Sequence, residues 1–120
     1  MTETIEIKAA YASVVEDDED GFLFIGFAEG EDEDEPYVLF RQALAGGPVW
    51  FEVSDESFGA NDAAQSVAIT PEGLTITIAP GAVAKLGFVS AVTVAIGPDC
   101  EDAAEGIAAL RAMLAGRITE

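Results

Sequence analysis

Apolar and polar positions alternate with period two along most of this chain, which predicts strands, and only one long stretch repeats at helical spacing. Ile5, Ile7 and Ala9 alternate with Glu6 and Lys8, a half-buried strand that runs on to Val15. Residues 22–28, Phe-Leu-Phe-Ile-Gly-Phe-Ala, are apolar on both faces, so a central strand covered on each side is expected there. Residues 37–44 form the next strand, with Pro36 setting its start. Gly46-Gly47-Pro48 then turns the chain into residues 49–53, where Val49, Phe51 and Val53 share one face and Trp50 and Glu52 the other. Residues 54–63 are polar and read as an irregular loop, since Gly59 and Asn61 tolerate left-handed backbone. Residues 66–70 and 74–78 flank Pro71-Glu72-Gly73 as a hairpin, a short helical turn covers residues 82–86, and a last strand spans residues 89–96.

The helical stretch comes at the end. Asp99 after Pro98 is the expected N-cap, with Glu101, Asp102 and Glu105 at the positive end of the helix dipole. Ala103, Ile107, Leu110 and Leu114 make an apolar stripe, Arg111 and Arg117 suit the negative end, and Gly116 is the expected C-cap. Strands first and a helix last predict an α+β fold. The expected form is a mostly antiparallel sheet of six to seven strands with the C-terminal helix packed on one face. Residues 1–120 read as a single domain without internal repeats.

Charge changes this picture. Five basic residues face 23 acidic ones, a formal net charge of −18. Eleven of those acids fall in two runs, Glu16-Asp17-Asp18-Glu19-Asp20 and Glu29-Gly30-Glu31-Asp32-Glu33-Asp34-Glu35, at opposite ends of the apolar segment 22–28. The rest of the chain carries only about −7, so the excess is local rather than a whole-surface adaptation. Such a molecule repels nucleic acid and anionic membranes and attracts basic surfaces. No apolar run approaches the roughly 20 residues that cross a bilayer. The N-terminus lacks a secretory pattern, and the single Cys100 forms no internal disulfide, so a cytoplasmic protein is expected.

The chemistry available is narrow. Histidine is absent, which removes Ser-His-Asp and Cys-His nucleophile systems and nearly all zinc sites. Asp99 and Glu101 beside Cys100 raise rather than lower a thiol pKa, and no phosphate-binding glycine loop precedes a helix. Glu16-x-Asp18-x-Asp20-Gly21 imitates the first half of a calcium loop, but its twelfth place is Phe27 where a bidentate glutamate belongs. No enzyme activity, cofactor or metal is therefore expected. Trp50 stays open between two roles, a core anchor under the terminal helix or an aromatic exposed in a binding surface. Glu52 on the same face needs water or a donor.

The stretch Val49-Trp50-Phe51-Glu52-Val53-Ser54-Asp55-Glu56-Ser57-Phe58-Gly59, followed by Ser66-Val67-Ala68-Ile69 and Leu74-Thr75-Ile76-Thr77-Ile78, resembles the immunity protein 10 family of bacterial polymorphic toxin systems. The family pattern is an aromatic-x-Glu-Val/Ile-x-Asp segment, a glycine-containing loop, a hairpin, and a strand before a C-terminal helix. An early acidic stretch and an apolar segment like Phe24-Ile25-Gly26-Phe27 extend the resemblance from about Ile5 to Leu114. The chain departs from it at Phe58-Gly59-Ala60-Asn61-Asp62, where family members tend to carry an aromatic with two glycines. The resemblance implies a cytoplasmic antitoxin that binds and neutralises a cognate toxin domain, and the charge implies that this partner is basic.

Two groups of partner-binding candidates follow. Charge selects Asp17, Asp18, Asp20, Asp32, Glu33 and Asp34; the family-like segment selects Trp50, Glu52, Asp55, Glu56 and Asn61. The rival readings are an acidic interaction module whose charge serves solubility, and a weak divalent-cation binder or carboxylate-dependent hydrolase. Oligomeric state stays open.

Overall fold

A computed structural model describes residues 3–30, 34–55 and 57–119. Among these residues nine strands form one sheet: β1 (Glu3–Asp17), β2 (Phe22–Ala28), β3 (Tyr37–Ala43), β4 (Trp50–Val53), β5 (Gly59–Asn61), β6 (Ala64–Thr70), β7 (Gly73–Ile78), β8 (Val89–Glu101) and β9 (Ile118–Thr119). Their order is β5-β4-β3-β2-β1-β8-β7-β6-β9, antiparallel except for the pairs β1/β8 and β6/β9. A 3₁₀ segment, Pro80–Leu86, joins β7 to β8, and helix α1 (Ala103–Met113) follows β8. The class is α+β, as the strand-then-helix order predicts. The sheet has nine strands and not six to seven, because two short edge strands, β5 and β9, lie where no alternation is visible in sequence.

Connectivity forces this sheet to roll. β5 lies at one edge and β6 next to the other, yet only Asp62 and Ala63 separate them in the chain. The amide of Ala79 donates to Ala63 O at 2.8 Å, and the Arg117 guanidinium reaches both Asp62 Oδ1 and Ala64 O at 3.2 Å. The first bond extends the β6/β7 ladder by one rung, and the Arg117–Asp62 pair draws the β9 edge to the β5 edge. β1 is the hinge of the roll: residues 3–9 pair with β8 and residues 11–17 with β2, with a register irregularity between them. Ile7 and Ala12 both face inward although they are an odd number of residues apart, so the alternation of β1 changes parity near the irregularity, where Ala9 pairs with Ile96 and Tyr11 with Glu101.

Inside the roll lies one apolar cluster. Ile25 and Phe27, Val38 and Phe40, Phe51 and Val53 come from one half of the sheet, and Val67, Leu74, Ile76, Val92 and Val94 from the other. The 3₁₀ segment adds Ala82 and Leu86 at one end of β8, and α1 adds Leu110 and Leu114 at the other. A Cβ on Gly106 would lie 2.9 Å from Ala12 Cβ and 3.2 Å from Phe27 Cζ, so glycine is what lets the helix approach β1 and β2 this closely.

Several expectations fail at element ends. β8 runs to Glu101 rather than Ile96, because pairing with β1 continues as far as Tyr11↔Glu101. The helix therefore starts late. Its N-cap is Asp102, in left-handed conformation and without a side-chain capping bond, and not Asp99. Its C-cap is Leu114; Gly116 takes a positive φ two residues further on. Glu105 and Arg111 do stand in the first and last turns, where the dipole favours them. Among the described residues no helix is long and apolar enough to cross a membrane.

Candidate interaction face

Strand register places the outward side chains of β1 to β5 in rows that cross the sheet. One row is Val15, Phe24, Arg41, Trp50 and Asn61. The next is Ser13, Gly26, Leu39, Glu52 and Gly59, followed by Tyr11, Ala28 and Tyr37. Asp17, Phe22 and Ala43 flank the first row on its other side. The strand expected to be covered on both faces is covered on one only. Ile25 and Phe27 are fully buried, whereas Phe22 and Phe24 remain partly open to solvent on the outside of the roll. Neither helical segment lies over this face, since both insert their buried residues into the core.

Trp50 belongs to this outer face and not beneath the terminal helix. The Arg41 guanidinium carbon sits 5.2 Å from the Trp50 ring and 5.5 Å from the Phe22 ring, a cation held between two aromatic faces. Phe24 packs beside Phe22 with centroids 6.2 Å apart. Glu52 is only 5 % exposed, the one buried charged residue among those described. Trp50 Nε1 donates to its Oε1 at 2.8 Å and the Tyr37 hydroxyl to its Oε2 at 2.5 Å, which satisfies the carboxylate out of water. Glu52 thus fixes two aromatic rings, on neighbouring strands, in one orientation. Gly59 makes room for them: a Cβ there would fall 2.6 Å from Trp50 Cζ2 and 2.9 Å from Glu52 Cβ and Phe51 O.

Along β2 the outward positions read Phe22, Phe24, Gly26 and Ala28, two large groups followed by almost nothing. The result is a trough of about 260 Å³ over Gly26 and Ala28, walled by Tyr11 and Ser13 on one side and Tyr37 and Leu39 on the other. Gly30 and Glu35 line its far end. The Tyr11 hydroxyl donates to Gly30 O at 3.3 Å, and Glu35 lies so close over Gly30 that a Cβ there would sit 2.9 Å from Glu35 Cγ. A second depression of similar size lies beside the 3₁₀ segment, between Ile5, Val53, Phe58, Leu86 and Val89. It is apolar, and no ionisable side chain lines it among the described residues.

The acidic runs occupy the two ends of β2, as expected. Asp18 and Asp20 are exposed in the β1/β2 hairpin, beside Phe22. Asp17 has a structural role there: its Oδ1 accepts the amides of Glu19 and Asp20 at 3.0 and 3.1 Å. Asp34 is exposed in the β2/β3 connection, and Glu29 Oε2 accepts the Lys8 amide at 2.9 Å. Asp32, Glu33 and Glu56 lie outside the described residues. Asp55 stands apart in the turn after β4, where the Ser57 hydroxyl and then the Ser57 amide hold its carboxyl below the usual aspartate range. Asn61 ends the aromatic row on β5.

Among the described residues, no three carboxylate or cysteine side chains are placed to share a metal ion. Cys100 is half-buried on β8; desolvation, then the charges of Asp102 and Glu101, push its thiol pKa up. No family model matches this chain, and neither a curated protein nor a solved structure matches it.

Tyr11, Phe22, Phe24, Tyr37, Leu39 and Arg41 escaped the reading of the sequence. Their signal was parity: Tyr37, Leu39 and Arg41 alternate with the apolar Val38 and Phe40 just as Trp50 and Glu52 alternate with Phe51 and Val53. What the chain hid was the pairing that puts these positions side by side.

Proposed function

We propose that this protein is a non-catalytic, cytoplasmic immunity-type binding protein that neutralises a basic toxin domain by covering it with the outer face of β1 to β5. The observation that carries the reading is a partly open aromatic face lying between two carboxylate-rich connections. β2 is seven residues long, so the two acidic ends stand roughly 20 Å apart. An apolar, aromatic centre with a charged periphery is the usual anatomy of a protein–protein interface. The net charge of −18 speeds encounter with a cationic partner and disfavours nucleic acid and anionic lipid. The segment that carries the family resemblance builds β4 and β5, the edge of the same face, which supports joining the two arguments.

The test is to express the product of the gene immediately upstream, alone and together with this protein. Growth arrest alone and growth restored by co-expression is the expected pair of results. Trp50→Ala should lose the protection, while Thr75→Val, on the opposite half of the sheet, should keep it. Protection that survives Trp50→Ala, or an upstream product that is harmless alone, overturns the proposal. Reversing Asp18 and Asp20 to lysine should slow association and flatten its dependence on salt.

A further inference from the structure

We infer that the trough over Gly26 and Ala28 is a socket for one arginine side chain of the partner, an inference that rests on the docking face proposed above. Three features of the trough converge on this chemistry. Its walls are aromatic: Tyr11 and Tyr37 stand on strands two apart, about 10 Å from each other across Ala28, which leaves room for one flat group between them. Its floor carries no side chain larger than a methyl, so the aliphatic stem of a long residue can lie against the backbone of β2. Its far end presents acceptors and negative charge, with Glu35 and Gly30 in the lining and the exposed Asp34 in the same connection. A planar guanidinium, which stacks on aromatic rings and donates two hydrogen bonds to one carboxylate, matches all three. Size agrees, for about 260 Å³ is below the range of about 300–1,000 Å³ usual for drug-sized ligands and suits a single side chain.

The socket is also built before anything enters it. One wall is fixed by the Tyr11 hydroxyl on Gly30 O, the other by the Tyr37 hydroxyl on the buried Glu52 carboxylate, which Trp50 holds from its other oxygen. Rigid walls lower the ordering cost of binding. Glu52 is accordingly a positioning residue: it touches Tyr37 and Trp50, and it does not line the trough. Phe24 is the next outward residue along β2, and beside it the Phe22/Arg41/Trp50 stack already holds a cation of its own. The chain thus satisfies one guanidinium internally, and the trough is the neighbouring place for a second.

The probe is N-acetyl-arginine methylamide, titrated against the isotopically labelled full chain by NMR, with the uncharged citrulline analogue as its control. Saturable shifts centred on the amides of Gly26, Ala28 and Tyr37 are expected, with the citrulline analogue about tenfold weaker. Gly26→Val stands a side chain in the trough. A Cβ at Gly26 would meet Ser13 Oγ at 3.4 Å and Leu39 Cδ1 at 3.8 Å, ordinary contacts, so this variant should fold and lose the saturable shifts. Glu35→Gln should weaken them about fivefold while leaving the spectrum otherwise intact. Shifts confined to the amides near Asp18, Asp20 and Asp34, or shifts unchanged by Gly26→Val, overturn the socket. That failure is separable from failure of the docking face: protection lost in Trp50→Ala, with no saturable shifts in the unsubstituted chain, would keep the face and remove the socket.

Discussion

The two halves of the rolled sheet enclose the same core and present opposite outer surfaces. Inward, both are aliphatic or aromatic and fully buried, Phe27, Val38, Phe40 and Phe51 on one side and Val67, Leu74, Ile76 and Val92 on the other. Outward, β6 to β8 carry Ser66, Ala68, Thr75, Thr77, Ala91, Thr93 and Ala95, with Thr77 directly opposite Ala91 and Thr75 opposite Thr93. That is sufficient for a sheet, because β-branched threonine suits a pleated, solvated surface. Beside Gly26, Ala28 and Ala43, the same positions on β2 to β4 carry Phe22, Phe24, Tyr37, Leu39, Arg41, Trp50 and Glu52. One half of the molecule therefore serves as a control for the other. Folding alone asks for threonine and alanine outside, so the aromatic set on the opposite half calls for a different explanation, which the proposed interface would supply.

If the plain half is purely structural, changes there should act on stability and on nothing else. The largest effect is expected from Gly73→Ala at the start of β7, where a Cβ would collide with Val94 O and φ is +146°. Backbone must move, so a loss of about 3 kcal/mol or more in urea unfolding is expected. On the aromatic half, Glu52→Ala leaves Trp50 Nε1 and the Tyr37 hydroxyl without their acceptor, and about 1–3 kcal/mol should be lost. Trp50 fluorescence should shift at the same time, which separates the loss of this network from general loosening. Arg41→Ala removes the stacked cation at a cost of about 0.5–1 kcal/mol, read from the same unfolding curves. Thr75→Val together with Thr77→Val should change stability by no more than about 0.5 kcal/mol per site and leave protection by the protein untouched. A strong functional effect of that pair would break the comparison.

The smallest effect concerns Asp55. Its carboxylate is the form that accepts both Ser57 hydrogen bonds, so its pKa is lowered in the fold. The corresponding contribution is present above the ordinary aspartate range and disappears as pH falls through the lowered value. Ser57→Ala should return the Asp55 titration, followed by NMR, toward the ordinary value. No change on that substitution would remove the Ser57 hydroxyl as the cause and leave the Ser57 amide.

Much of the fold was legible because period-two alternation registers burial directly. Leu74, Ile76 and Ile78 alternate with Thr75 and Thr77, and the structure buries the first set and leaves the second half-buried or exposed. The two edge strands were not legible, since three residues in β5 and two in β9 are too few to display a period. The helix start was misplaced because Asp99 has the right chemistry for a cap while long-range pairing with β1, resumed at Tyr11↔Glu101 after an irregularity, carries the strand past it. Of the candidate site, Trp50, Glu52 and Asn61 were named from the sequence and do lie on one face; Asp55 sits in a separate turn, and Asp17 is used by its own hairpin.

What the linear chain determined by itself was which residues alternate, which are charged, and which chemistries its missing histidine leaves out. Those are local or compositional properties, and they survive without knowledge of neighbours. Only the tertiary structure decided which of two faces met solvent, because a strand such as Phe22–Ala28 is apolar on both and its burial depends on what else packs there. The choice was made by the roll of the sheet: with its edges drawn together through Asp62 and Arg117, there is one inside, already filled by Ile25, Phe27 and the residues of α1. The second apolar row of β2 is left outside, beside Arg41, Trp50 and the two tyrosines, as the face proposed to bind.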